Sequence, residues 1–471
     1  MKTGIAKSNW LSDKGIRFDS SYHLSPGREY RKAIMKSPSG IQKLDHYTDT
    51  IFYGGRSKRN YVDGEINGVP FIGSSDMLKF GFSFSKYVSR KNTRNIDSSL
   101  LKEGWTLISR SGTIGKTVFV TKDLAGIAAS EHIIRVVPNE RVKPGTLYAY
   151  LSSKFGYALL TQGTFGAVIR HIEPDYLSDL PVPVFSKDLQ NSPDSLIEKA
   201  SNLRVKANSI LKYCRAKLKS DAGLEDLKND EYEFFGTHNT NRKVSVFTRN
   251  RSEIGSVSIN AFNYSKKVEL LENRVKSQVN LSLWECLDDN KFFSSGSFKR
   301  FELNSPKSIK LINQSDVFDL QKEGKMLAPI YVKSDKLVEY GEVLIAGVGT
   351  LGEGETFCRA IYANEELEGQ LISGEFIRMK TNSKVPSGYL YAWLSSEYGF
   401  RFIRKTQSGT KLCRPIQELL KNIPVPIIEK EEMLKIDEQV KKAHTMLFEA
   451  LNAENKAIEL VENEIESWQK S

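Results

Sequence analysis

The sequence predicts an α+β protein of two homologous domains in tandem, each followed by a long helix, with the two helices pairing as a coiled coil. Leu147-Tyr-Ala-Tyr-Leu-Ser-Ser-Lys-Phe-Gly156 recurs as Leu390-Tyr-Ala-Trp-Leu-Ser-Ser-Glu-Tyr-Gly399, with seven of ten positions identical. Both copies lead without a gap to a Pro-Val-Pro segment, at 181–183 and 424–426, so both features repeat at a shift of 243. Apolar residues at heptad spacing follow each segment. A repeat of about half the chain is too long for a solenoid, whose periods run to roughly 20–50 residues, and so means two domains. The expected division is 1–185 for the first domain, 186–220 for its helix, 221–255 for a linker, 256–428 for the second domain and 429–471 for the second helix.

Composition narrows the partners. Among 471 residues, 68 Lys and Arg stand against 57 Asp and Glu, a net charge of +11 that favours a polyanion. An anionic membrane surface is the rival, but no run approaches the roughly 18 apolar residues of a spanning helix and the amino terminus lacks an apolar signal core. The expectation is a soluble cytoplasmic protein. Its four cysteines, Cys214, Cys286, Cys358 and Cys413, are scattered without a Cys-x-x-Cys pair, as are its six histidines, which argues against a structural metal.

The first domain opens with Arg17-Phe18-Asp19-Ser20-Ser21-Tyr22, loosely matched by Ile259-Asn260-Ala261 and Tyr264. Phe52 to Arg59 aligns with Phe293 to Arg300, each with a glycine followed by paired cations. Phe71-Ile72 and Leu311-Ile312 each read as a short strand ending in a polar turn. Next come Leu107 to Thr117 and Leu344 to Gly352. The first ends in Gly115-Lys116-Thr117 and the second holds Gly347-x-Gly349-x-x-Gly352, both suggestive of nucleotide loops. Arg110 occupies the glycine position that a phosphate loop requires, and β-type residues follow in both copies where a helix should begin. Only Gly-Thr-[Ile/Leu]-Gly is shared, which suits a tight hairpin with glycines at positive φ. One more strand at Ile133–Arg135 and Phe376–Arg378 precedes the repeated helix, with Thr146 or Ser387 placed as N-cap and Leu147, Leu151, Phe155 and Leu159 as its apolar stripe.

The two long helices differ in charge. In the first, Leu196, Leu203 and Ile210 repeat every seven residues, with Ala200, Ala207 and Cys214 between them. In the second, Ile436, Val440, Ala443 and Leu447 keep the heptad, and a four-residue slip to Leu451 continues it through Ile458, Val461, Ile465 and Trp468. Residues 186–220 carry eight basic and three acidic side chains; residues 429–471 carry six and eleven. Opposite charges choose coiled-coil partners, so the helices should pair with each other, leaving the domains to meet the polyanion.

This arrangement resembles the specificity subunit of type I restriction-modification systems. The resemblance covers nearly the whole chain and rests on Arg17-Phe18-Asp19, the Ser-Gly-Thr-Ile-Gly turn at 111–115, Leu147 to Gly156 with its copy, and the Pro-Val-Pro boundaries. The second repeat departs from it at Ile259-Asn260 and Val348-Gly349. The resemblance implies two target-recognition domains, each reading half of a bipartite double-stranded DNA target. It implies that the helices form an antiparallel coiled coil that sets the spacer and docks two methyltransferase subunits, with restriction subunits joining through the complex, and no catalytic centre, cofactor or metal in this chain. The sequence independently lacks an Asn/Asp-Pro-Pro-Tyr/Phe tetrad and a complete cofactor loop. The alternative is a stand-alone nucleic-acid binder or scaffold with the same duplicated fold.

Candidate DNA contacts follow from side-chain chemistry. Arg56, Lys58, Arg59, Lys299 and Arg300 are expected at phosphates. Lys86, Arg90, Lys91 and Arg94 lie in a cation-rich loop whose counterpart, Gln321 to Lys333, shares little sequence with it, so the two domains should read different half-sites. The polar stretches after the repeated helix offer Thr164, Arg170 and His171, and Gln407, Thr410, Lys411 and Arg414; the hairpin adds Arg110 and Lys116. Arg170 and Arg414 are the expected base readers, because arginine to guanine is the commonest specific pairing.

Overall fold

Two prolines in three residues cannot both serve a central ladder, and each Pro-Val-Pro segment accordingly lies in a two-stranded sheet. The computed structural model of the protein describes residues 5, 20–55, 58–62, 64, 66–80, 86–164, 171–228, 230–235 and 246–469. In it Ile41–Lys43 pairs antiparallel with Pro181–Pro183, and Asn280–Ser282 with Pro424–Pro426. The chain divides into two compact units: residues 1–79, 86–205 and 449–471 form one, and 80–85 with 206–448 the other. Opening and closing strands thus meet within each unit.

The sheets recur in the same order. In the first unit an antiparallel sheet runs Thr48–Tyr53, Ile133–Pro138, Thr106–Ser109, Thr117–Phe119, and a second runs Tyr61–Val62, Tyr87–Ser89, Gly68–Ile72, Ala128–Ala129. Only the last pair is parallel, with Phe71 opposite Ala128. The second unit has Ala360–Tyr362, Val343–Ala346 and Phe376–Met379 in one antiparallel sheet, and Lys325–Leu327, Ile309–Ile312 and Leu371–Ile372 in another. Again its last pair is parallel, with Leu311 opposite Leu371. The glycine turn of the first unit leads into strand Thr117–Phe119, not a helix, and holds Gly112 and Gly115 at φ of 79° and 82°.

The repeated motif is two helices, not one. Pro144–Ser152 and Lys154–Gln162 break at Ser153; Ser387–Leu394 and Glu397–Lys405 break just before Glu397. Ser153 Oγ accepts the Gly156 N–H at 3.1 Å, and Ser396 Oγ accepts the Gly399 N–H at 3.2 Å, so each serine caps the trailing helix. The motif's last glycine is required because a Cβ there would strike the carbonyl oxygen of Tyr150 or Trp393. The expected caps, Thr146 and Ser387, are corrected. The cap positions are Lys143 and Pro386, and the Gly145 and Gly388 N–H groups donate to Asp194 Oδ1 and Asp437 Oδ1 at 2.8 and 2.7 Å. Those aspartates stand on the long helices, again 243 residues apart. The tyrosine-to-tryptophan change in the motif keeps its bond as well: Tyr150 Oη donates to the Pro181 carbonyl, and Trp393 Nε1 to the Pro424 carbonyl.

The long helices span Lys187–Asp221 and Lys430–Ser467. Within the first unit Arg204 pairs with Glu454; within the second, Lys217 Nζ lies 3.0 Å from Glu432 and Cys214 Sγ lies 3.9 Å from the Ile436 carbonyl oxygen. Rising numbers on one helix meet falling numbers on the other, so the helices are antiparallel in both units. The seam differs from the expected one. Ile197, Ala200, Arg204, Ala207, Leu211, Cys214 and Leu218 are buried, whereas Leu196, Leu203 and Ile210 flank them half-buried. In the second helix burial continues from Ala443 through Ala450, Glu454 and Ala457 to Val461 without a slip at Leu451. Ala200, Ala450 and Ala453 form a small-residue contact at this level.

Each unit buries one arginine at an equivalent strand position. Arg135 is fully buried, stacks over Phe52 at 5.8 Å and donates to the carbonyls of Ala129, Ser130 and Ile133. Burial pulls its pKa down to about 10. Arg378 stacks over Phe293 at 4.8 Å and binds both oxygens of buried Glu342 at 2.8 Å, together with the Lys336 and Leu337 carbonyls.

His444 lies buried between the rings of Tyr362 and Tyr391, at 4.9 and 5.0 Å. Burial, then the charges of Lys322 and Arg215, push its pKa down to about 3. The unfolded imidazole titrates near 6.5, so its stabilising contribution is complete above that pH and is lost as pH falls towards 3. The second unit should lose roughly 1.4 kcal/mol per pH unit from this group once pH is well below 6.5. Urea midpoints from pH 7 to pH 4.5 should fall less steeply for His444→Phe than for wild type; equal slopes would exclude His444 as a source.

Candidate nucleic-acid interface

In the first unit the strand Tyr87–Ser89 brings two candidate groups together. It pairs with Tyr61–Val62, the Ser89 N–H donates to the Asn60 carbonyl at 2.7 Å, and Asn60 Nδ2 donates to the Asn92 carbonyl. Lys58 and Arg59 thereby adjoin the loop that carries Arg90, Lys91 and Arg94. The loop turns because the Asn92 N–H meets Ser89 Oγ at 3.1 Å, the Thr93 N–H meets the Ser89 carbonyl at 3.1 Å, and Asn95 adopts a left-handed φ of 54°. Lys58, Arg90, Lys91 and Arg94 are exposed. Arg59 is half-buried, paired with Glu131 and lying over the Phe71 ring at 4.8 Å. Burial works to raise the Glu131 pKa, but backbone hydrogen bonding and the Arg59 charge outweigh it and hold the carboxyl below its usual range. Lys86 sits at the base of the strand, 3.9 Å from Asp76.

A second group lies around the glycine hairpin. Arg110 is buried, paired with Glu173 and stacked over Tyr53 at 4.3 Å, so its charge is already met inside the unit. Its backbone N–H donates to the His132 carbonyl, and His132 Nδ1 bonds Ser111 Oγ at 2.7 Å, a contact that no sequence motif announced. Lys116 lies over Tyr157 at 5.3 Å; its counterpart Arg359 lies over Phe400 at 4.1 Å. Thr164 and His171 are half-buried and flank the stretch that holds Arg170. Arg56 and Arg170 lie outside the described residues. At the shift of 243 the counterpart of Arg414 is His171, one residue beyond Arg170.

The second unit presents Lys299 and Arg300 exposed, beside the rings of Tyr331 and Phe298 at 5.7 Å each. Gln407–Ser408 pairs with Arg414–Pro415 in a hairpin whose Gly409 has φ 98°. Thr410, Lys411 and Arg414 are exposed on it, whereas Gln407 is buried and its backbone carbonyl accepts from Asn263 Nδ2 at 2.9 Å. Gln407 therefore helps to hold the hairpin rather than standing on its surface. The Gly349 and Cys413 backbones pair in both directions, at 3.1 and 2.7 Å, and tie the hairpin to the glycine turn. Next to that turn the carboxylate of Glu353 binds Arg401 at 2.8 Å and accepts the Phe235 N–H at 2.9 Å, while Arg401 stacks on Tyr232 at 3.8 Å. Tyr232 and Phe235 belong to the stretch read as linker and pack into this cluster.

Among the described residues no group of three or more His, Cys, Asp or Glu is placed to hold a metal, and no helix is long and apolar enough to cross a membrane. The fold and these surfaces define an α+β protein with exposed basic loops on both units. No protein-family profile and no curated protein sequence matches the chain. Among solved structures it is similar to the S subunit of a type I restriction-modification system from M. genitalium, at 14% identity and a TM-score of 0.33, covering 91% of this chain and 94% of that one. It is also similar to the HsdS subunit from Thermoanaerobacter tengcongensis, at 13% identity and a TM-score of 0.24, covering 92% and 96%. A third similar structure concerns the assembly and conformational transition of a type I R-M system, at 13% identity and a TM-score of 0.25, covering 92% and 98%. All three superpose loosely.

Proposed function

We propose that this chain is the non-catalytic DNA-recognition subunit of a type I restriction-modification complex. Each unit reads one half of a bipartite target, and the long helices set the spacer and dock two methyltransferase subunits. The observation that carries the DNA-binding part is the convergence of Lys58 with Arg90, Lys91 and Arg94 on one sheet edge, from stretches about 30 residues apart. Exposed cations gathered at one edge, on a chain of net charge +11, suit a phosphate backbone. The family reading adds the duplicated signature and the Pro-Val-Pro boundaries. Lys299, Arg300, Lys411 and Arg414 supply the corresponding surface in the second unit, with Arg414 as base reader.

Each phosphate contact releases counterions, so removing one should lower the slope of log affinity against log salt by about 0.9. Replacing Arg90, Lys91 and Arg94 together by alanine should flatten the slope measured by fluorescence anisotropy on a random-sequence duplex. All three are exposed, so the fold should persist. A triple variant with the wild-type slope and affinity would remove this edge from the interface.

A further inference from the structure

The second unit carries an apolar projection that its core does not use. Pro329–Tyr331 forms one 3-10 turn, closed by the Tyr331 N–H on the Ala328 carbonyl at 3.2 Å and the Val332 N–H on the Pro329 carbonyl at 2.9 Å. Ala328 is buried, and Val332 packs against the cluster of Leu311, Leu327 and Leu371, so the turn is fixed at both ends. Ile330 at its tip is 85% exposed, although burying an isoleucine side chain is worth roughly 1.5–3 kcal/mol. Next to it in sequence, the Tyr331 ring meets Phe301, itself 58% exposed, at 5.7 Å. Lys299 lies over Tyr331, and Arg300 and Lys333 are exposed close by in sequence. Single exposed apolar residues are ordinary; an exposed aliphatic tip beside an exposed aromatic pair, with cations at hand, suits a binding surface.

We infer that Ile330, backed by Tyr331 and Phe301, is a wedge that enters between two base pairs of duplex DNA while Lys299 and Arg300 hold the flanking phosphates. This rests on the DNA-binding reading above. An apolar side chain held out from a cationic surface suits the partner whose charged backbone encloses an apolar stack, and wedges of this kind unstack one base step and kink the duplex. A solvated lysine or serine at the tip would serve phosphate contact alone.

The test uses the full chain and a nicked plasmid carrying an array of a duplex that the wild-type chain selects from a random pool. The nick is ligated with protein bound, and the linking number is read after protein removal. Wild-type protein should leave the plasmid underwound. Ile330→Ser should cut that change about twofold or more, while its affinity falls by less than about threefold and its salt slope stays the same. Saturated binding without a linking change, or an Ile330→Ser chain that underwinds as wild type does, overturns the wedge and leaves DNA binding standing. Failure to select any duplex overturns the DNA-binding reading and the wedge with it.

Discussion

Arg378→Met is expected to destabilise the second unit by about 3–5 kcal/mol, because it removes one partner of a buried ion pair and leaves the other uncompensated. Glu342 has no exposed surface, and Arg378 is its bidentate partner at 2.8 Å on each oxygen. Amide exchange along Val343–Ala346 should report the loss locally. Arg378→Met combined with Glu342→Gln should recover part of it, since no charge then stays buried. Arg135→Met should cost less. Its guanidinium faces backbone carbonyls, and Trp105 occupies the position where the second unit has Glu342. Equal losses for both methionine variants would show that stacking and carbonyl contacts, not the carboxylate, dominate.

The second large effect is expected in the first unit, where Glu454, 2% exposed, accepts from Arg204 on the facing helix and from Tyr148 on the leading signature helix. Glu454→Leu alone strands the Arg204 charge and should cost about 3–5 kcal/mol. Arg204→Leu with Glu454→Leu should come back to within about 1–2 kcal/mol of wild type, because well-packed apolar residues often replace a buried pair without loss. The second unit supports that expectation: Leu447 and Leu211 occupy the equivalent positions there and join its apolar core. Chemical denaturation of wild type and the two variants decides it. A double variant no more stable than Glu454→Leu would mean that the site cannot repack around leucines.

This ion pair also explains why the helices were legible in sequence while their seam was not. Heptad spacing located both helices and their closing partners, but Arg204 and Glu454 are charged, so a pattern built on apolar residues stepped aside to Leu196, Leu203 and Ile210 in one helix and to Leu451 in the other. A charge hidden by a partner some 250 residues away has no local signature. The same holds for Arg135 and Arg378: each reads as the polar end of a strand, although Phe52 and Phe293, which stack on them, align with each other in the repeat. The domain repeat was legible because covalent duplication preserves spacing. The helix break is not legible because Leu147, Leu151, Phe155 and Leu159 keep helical spacing across it, and only the Ser-Ser pair hints at a cap. Of the candidate contacts, exposed loop cations such as Arg90, Lys91 and Lys299 could be picked by charge. Arg110 and Gln407 could not be sorted from them, since burial of a polar side chain depends on partners remote in sequence.

The first unit is not finished when its own globular stretch has been made. Residues 449–471 belong to it, and Ala457, Val461, Ile465 and Trp468 pack in the same core as Leu147, Leu151 and Phe155. A ribosome that has just passed Val205 must polymerise about 240 more residues before that helix exists, which at roughly 5–20 residues per second takes on the order of tens of seconds. Through that interval the nascent unit shows an apolar face to solvent, where chaperones can hold it and aggregation competes. A ribosome stalled late in the message would therefore release a chain whose earliest-made half is the one left unfolded.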